Sequence, residues 1–185
     1  MRTFIAIDFD ERIKDRLSSF LRELERVSQN IRWVKPEGMH LTLKFLGEVE
    51  EEKISGIESA LDRIASAFSP FTLQLRGAGT FPHGRKSPRV IWVGIHENPI
   101  LKSLQAKIEA GFEELGFPKE KREFHPHLTL GRVKAHSLVG GIFPLLEKNK
   151  ESDFGKMDVR KITLFKSLLR PSGAEYRIIS EFNLK

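Results

Sequence analysis

Two short runs of this chain carry the same residues in the same order: His40-Leu41-Thr42-Leu43 and His127-Leu128-Thr129-Leu130. On a strand, side chains alternate between faces, so His40 and Thr42 share one face while Leu41 and Leu43 take the other. His127 and Thr129 repeat the arrangement. An imidazole with an ordinary pKa near 6.5 can give or take a proton at neutral pH. Two of them in different protonation states can take a proton from water and deliver one to a departing oxygen. Threonine hydroxyls two residues away can donate to the nonbridging oxygens of a phosphate, and a nearby cation can offset the charge of the transition state. These are the parts needed to hydrolyse a cyclic phosphodiester, and none of them is a metal.

The flanking residues repeat as well. A shift of 87 carries His40 onto His127, Phe4-Ile5-Ala6 onto Ile91-Trp92-Val93, and Ile13, Leu17 and Leu21 onto Ile100, Leu104 and Ile108. The apolar positions of the last two sets recur one helical turn apart. Each half therefore reads strand, amphipathic helix, then the strand with the His-Thr pair. Further signals are a helix over 49–67, a strand at Phe71 to Leu75 and an interrupted helix from Leu138 to Lys150. A strand at Val159 to Leu164 and a hairpin about Pro171-Ser172-Gly173 follow. The loop from Phe81 to Arg89 joins the halves. The expectation is an α+β fold of two pseudo-symmetric lobes, each an antiparallel sheet with helices packed outside. A central cleft would separate the two His-x-Thr strands. One bilobal domain would span 1–185, with repeat halves of about 1–86 and 87–185.

Composition narrows the class. The chain has 185 residues, no Cys and a formal net charge of +6. Thiolate catalysis and Cys-ligated zinc are excluded. The basic excess, spread over both halves, favours polyanionic partners, RNA first. No apolar run approaches the roughly 18 residues of a membrane span, and the N-terminus does not read as a secretory signal. A cytoplasmic monomer is expected. No Walker loop is present, so nucleoside triphosphate hydrolysis is not expected, although a nucleotide could occupy a phosphate cleft.

Several runs together resemble the 2H phosphoesterase superfamily: Phe4 to Ile7, Met39 to Gly47, Pro88 to Trp92, Phe124 to Arg132, Leu164 to Ser167 and Gly173 to Tyr176. Within it the chain is similar to the RNA 2',3'-cyclic phosphodiesterases, also called 2'-5' RNA ligases (LigT/ThpR-like). The resemblance implies opening of a 2',3'-cyclic phosphate at an RNA end to a 2'-phosphate, and in some members the reverse 2'-5' joining. By motif match His40 would be the general acid and His127 the general base. Thr42 and Thr129 would hold phosphate oxygens, and Arg132 matches a phosphate-contacting position. No cofactor is implied. Small cyclic nucleotides are alternative substrates.

The residues themselves qualify this. Lys44 shares parity with His40 and Thr42, which places it either in the cleft or at a solvated strand end. Arg132 has the wrong parity for the His127 face unless Gly131 forms a bulge. His125 has the right parity, but Pro126 disturbs the strand, so a structural or substrate-orienting role is expected. Basic clusters at His83, Arg85, Lys86 and Arg89, and at Lys119, Lys121 and Arg122, could follow an RNA backbone but read first as solvated loops. Among Phe9, Phe45 and Phe124, core packing is expected before base stacking. Trp33 and Trp92 read as core anchors, and His83, His96 and His136 as surface residues. Two other functions fit the pattern: a metal-dependent phosphodiesterase ligated by His40, His125 and His127, and a nonenzymatic RNA- or nucleotide-binding module.

Overall fold

A computed structural model describes residues 1–83, 87–134, 137, 139–170 and 173–185. Arg85, Lys86, His136, Leu138 and the Pro171-Ser172 turn lie outside the described residues. The first half runs β1 (Arg2–Asp8), α1 (Glu11–Val27), β2 (Ile31–Trp33), β3 (His40–Glu48), α2 (Ile54–Ala65) and β4 (Phe71–Phe81). The second runs β5 (Val90–Ile95), α3 (Pro99–Glu114), β6 (His127–Val133), α4 (Phe143–Lys148), β7 (Asp153–Val159), β8 (Lys161–Arg170) and β9 (Gly173–Asn183). Asp10 caps α1 by accepting from the Ile13 N–H at 2.8 Å, and Asn98 caps α3 by accepting from Leu101 at 2.9 Å, which fixes where both helices begin. The short α4 starts only after the Gly140-Gly141 turn, the weak helix the interrupting glycines and proline lead one to expect.

The strands form one sheet in the order β7-β4-β5-β6-β3-β1-β8-β9, with β2 paired to β6 beside β3. Every recorded pairing is antiparallel. One lobe is β3-β1-β8-β9 with α2 and α3; the other is β6-β5-β4-β7 with β2, α1 and α4. This is the expected α+β architecture, but each lobe draws strands and a helix from both sequence halves. A single core lies between the sheet and the helices, and it buries Leu41, Leu43, Leu128 and Leu130. A smaller cluster of Phe4, Ala6 and Phe165, with Tyr176 against it, covers part of the opposite face. Among the described residues no helix is long and apolar enough to cross a membrane.

The lobes meet where β3 pairs with β6, through the single recorded pair Leu41 and Leu128. These are equivalent positions of the two motifs, so a pseudo-twofold axis passes through them. The first strands of the two halves are offset by one relative to the expected shift. Ala6 pairs with Thr42 and Trp92 with Thr129, so Ala6 corresponds to Trp92 and Phe4 to Val90. Ile100 is likewise exposed, and Leu101 takes the buried position.

Both His strands bulge at the same place. Along β1, Ile5 faces Lys44 and the next residue, Ala6, faces Thr42; along β5, Ile91 faces Gly131 and Trp92 faces Thr129. Leu43 and Lys44 are consecutive and both buried, as are Leu130 and Gly131. The extra residue reverses the alternation beyond it. Lys44 is thereby turned away from the cleft face, which corrects the parity reading. Its Nζ lies 2.6 Å from Glu109 Oε2 and donates to the Pro118 carbonyl at 2.9 Å. The Glu109 carboxylate also accepts from Gln105 and from the Glu120 N–H, so the buried pair is well satisfied and ties α3 to β3. Lys44→Ala leaves that carboxylate unpaired and should cost about 3–5 kcal/mol, whereas a Lys44→Met, Glu109→Leu double replacement should cost far less. Urea denaturation of the two variants reads the difference.

Candidate active site

From the Leu41–Leu128 pair, extending the antiparallel register by one residue sets Thr129 beside His40 and His127 beside Thr42. The four side chains share the face opposite the buried leucines. His40 and His127 are then diagonal neighbours across two adjacent strands, a relation that separates such positions by about 7–8 Å. That leaves room for one phosphate between the rings. All four residues are half-buried. Among the described residues neither threonine hydroxyl forms a recorded hydrogen bond within the protein.

Each ring is oriented by main chain. His127 donates from Nδ1 to the carbonyl oxygen of His125 at 2.7 Å. A carbonyl only accepts, so Nδ1 carries the hydrogen and Nε2 keeps its lone pair for chemistry. For His40 the neighbouring backbone is that of Gly38, again two residues earlier. Aromatic side chains complete the settings. The His40 ring stands 4.8 Å from Phe4, 5.8 Å from Phe165 and 4.9 Å from Tyr176, the last edge-on. His127 meets Phe81 edge-on at 5.0 Å, and Phe81 lies 5.2 Å from Trp92. Trp92 is therefore a wall of the cleft face, not the core anchor its type suggests. Gly79 gives its indole room: a Cβ there would meet Trp92 Cζ2 at 2.6 Å. Trp33 does pack against the main core.

Burial governs the electrostatics. Enclosure among apolar rings pushes His40 down to about 4; the bond to Gly38 opposes this shift and the Lys14 charge adds to it. Burial also lowers His127, with the His125 carbonyl opposing and the charges of Arg132 and His125 contributing. Both shifts favour the neutral imidazole. Lys14 is itself compensated, lying 3.1 Å from Asp8 and 3.4 Å from Glu11. Neither Asp8 nor Lys14 was singled out by the sequence; the only signal was their placement just before and within the first helix. Arg132 is exposed and, by the Gly131 bulge, on the cleft face opposite Val90. The His125 ring is exposed beside the Glu123 carboxylate at 3.8 Å, while its carbonyl accepts from the His127 ring. Phe9 is buried and Phe124 packs on the core, but Phe45 is 63% exposed and extends the aromatic surface from Phe4. His83 joins the Phe81–Trp92 wall. Among the described residues no three His, Cys, Asp or Glu side chains converge as a metal site, so the His40, His125 and His127 triad does not form.

The repeat seen in the geometry is also the repeat of a known family. A sequence model of the LigT-like phosphoesterases matches residues 7–92 and again 93–176. The chain belongs to the LigT-like phosphoesterase family. It is 38% identical over 182 residues to an RNA 2',3'-cyclic phosphodiesterase of Archaeoglobus fulgidus, covering 98% of this chain and 99% of that one. A Methanocaldococcus jannaschii protein of the same name is also 38% identical, covering 98% and 100%. Among solved structures, a Thermus thermophilus protein superposes with a TM-score of 0.82 at 30% identity, over 100% of this chain and 98% of that one. Escherichia coli LigT complexed with 3'-AMP gives 0.77 at 27% identity, over 99% and 97%.

The depressed His40 sets a pH dependence for this LigT-like fold. The native ring is neutral while the unfolded one takes up a proton below about 6.5, so stability falls as pH drops from 6.5 toward 4. Between pH 7 and pH 5 the native protein should lose about 1–2 kcal/mol more than a His40→Gln variant, whose side chain does not titrate. Parallel urea titrations at the two pH values measure it.

Proposed function

We propose that this chain is an RNA 2',3'-cyclic phosphodiesterase that opens a terminal cyclic phosphate to a 2'-phosphate by metal-independent two-histidine acid/base catalysis. The observation that carries the reading is the diagonal His40/His127 arrangement about the Leu41–Leu128 pair, with a threonine beside each ring. Near-full-length relatives bearing that enzyme name support the substrate class.

In the proposed reaction the cyclic phosphate sits between the rings, its nonbridging oxygens accepting from Thr42 and Thr129. His127 takes a proton from water at Nε2, where its lone pair is free. The water oxygen bonds to phosphorus and the bond to the 3'-oxygen breaks. His40, protonated, gives its proton to that oxygen, leaving a 2'-phosphate and a 3'-hydroxyl. With an RNA 5'-hydroxyl attacking phosphorus in place of water, the same proton transfers make a 2'-5' linkage as the 3'-oxygen leaves; run backward, the 3'-hydroxyl attacks, the 5'-oxygen leaves and the linkage breaks. Arg132 adds positive charge on the His127 side, where it favours the neutral base and balances the developing charge on phosphate. Burial disfavours charge on His40 in the empty cleft, and the phosphodiester anion supplies the compensating charge when it binds. Lys44 has no part in this. His125 contributes its carbonyl. Both halves of the site come from one chain and one continuous sheet, which supports a single bilobal domain acting as a monomer. The proposed RNA substrate supports a cytoplasmic location.

The test is turnover of a defined RNA ending in 2',3'-cyclic phosphate, with the product phosphate position read by chromatography. His40→Ala and His127→Ala should each lower kcat by about 10²–10⁴-fold, and activity should survive exhaustive chelation. Loss on chelation with recovery on adding metal would favour a metallohydrolase. An unaltered RNA affinity with no turnover in the parent protein would favour a binding module. The pH profile should be a bell, with kcat/KM peaking at lower pH than kcat, because bound anion raises the pKa of the rings. A flat profile from pH 5 to 9 would contradict the assignment.

A further inference from the structure

The pseudo-twofold axis makes unlike residues at equivalent positions informative. Beyond the bulge, Phe45 occupies the cleft-face position in one lobe and Arg132 occupies it in the other. Arg132 has a second neighbour. On the β2 side of β6 it pairs directly with Arg32. Directly opposed residues of an antiparallel pair share a face, so Arg32 stands on the cleft face too, on the β3 side of β6. Both are exposed, and among the described residues neither has a carboxylate within salt-bridge distance. One lobe thus offers an apolar ring at this place, while the other offers two arginines opposed across β2 and β6.

Like charges directly opposite each other on a sheet destabilise it. The arrangement therefore has no reason in the fold, and it has one in ligand binding. Guanidinium groups present a planar fork of donors suited to phosphate oxygens. Arg132 is the nearer of the two to Thr129 and His127, and its charge reaches the His127 ring. Arg32 lies too far along to be needed for the reacting phosphate if Arg132 serves it.

Resting on the RNA-end reading above, we infer that Arg32 binds the next phosphate of the RNA strand, so that the cleft holds a polynucleotide end in preference to a single nucleotide. The strand then leaves the active site over the β2–β6 edge, with its backbone on the cationic lobe. Arg32 acts in substrate selection and carries no proton in the reaction.

The experiment uses full-length protein and two noncleavable probes: a tetraribonucleotide ending in a 3'-phosphate, and 3'-AMP. Fluorescence competition at several salt concentrations measures affinity for each. Arg32→Gln should weaken the tetranucleotide about 5–10-fold and lower the slope of log K against log salt by about 0.7, the single-strand contribution of one phosphate contact. The loss for 3'-AMP should be several-fold smaller. Thermal melting of the variant should be unchanged or raised, since a like-charge pair has been relieved. Equal losses on both probes, an unchanged tetranucleotide slope, or a lowered melting temperature matched to the affinity loss would each overturn the assignment. If the native protein fails to turn over any cyclic phosphate yet Arg32→Gln still weakens only the tetranucleotide, the catalytic reading falls and the phosphate contact stands.

Discussion

The pairing of Leu41 with Leu128 is the constraint from which the site follows. These equivalent leucines face each other across adjacent antiparallel strands, their side chains buried in the common core. Burying them forces the neighbouring His and Thr residues to the other face, because the side-chain period of a strand is two. Antiparallel pairing about equivalent residues then generates the diagonal placement of the two imidazoles. A slip of one residue in either strand would expose leucines and bury histidines, a double penalty that holds the register.

The repeated bulge adds the second layer of control. An unbroken pair of strands would have carried Lys44 into the cleft and Arg132 out of it. One extra residue in each strand does the reverse, sending Lys44 under the sheet to Glu109 and bringing Arg132 to the cleft face. The equivalent space beneath Gly131 is filled by Ile31 and Trp33, and a Cβ there would meet both at 2.7 Å. One backbone device thus produces a buried ion pair in one lobe and a close strand contact in the other. Symmetry in the backbone, asymmetry in the side chains: the two halves keep the His-Thr pair identical while dividing apolar and cationic surface between them.

Main-chain carbonyls and aromatic rings set the histidines in a way neither does alone. The carbonyl two residues earlier holds the His127 tautomer, and aromatic rings pack against both imidazoles. Burial lowers the pKa of both imidazoles and so favours their neutral forms.

The paired His-x-Thr phrases, the apolar helix faces and the family resemblance were all legible in the chain, because they depend on residue type and local period. So was the choice to be made at Arg132, since Gly131 marked where a bulge could form. Tertiary structure alone decided the rest. It sent Lys44 to Glu109, 65 residues away, turned Trp92 to the cleft, used the His125 carbonyl in place of its ring, and set Arg32 beside Arg132. It also built each lobe from both halves. The physical reason is common to these cases: a bulge resets facing without changing composition, and a strand's partner is chosen by long-range burial that no local window contains.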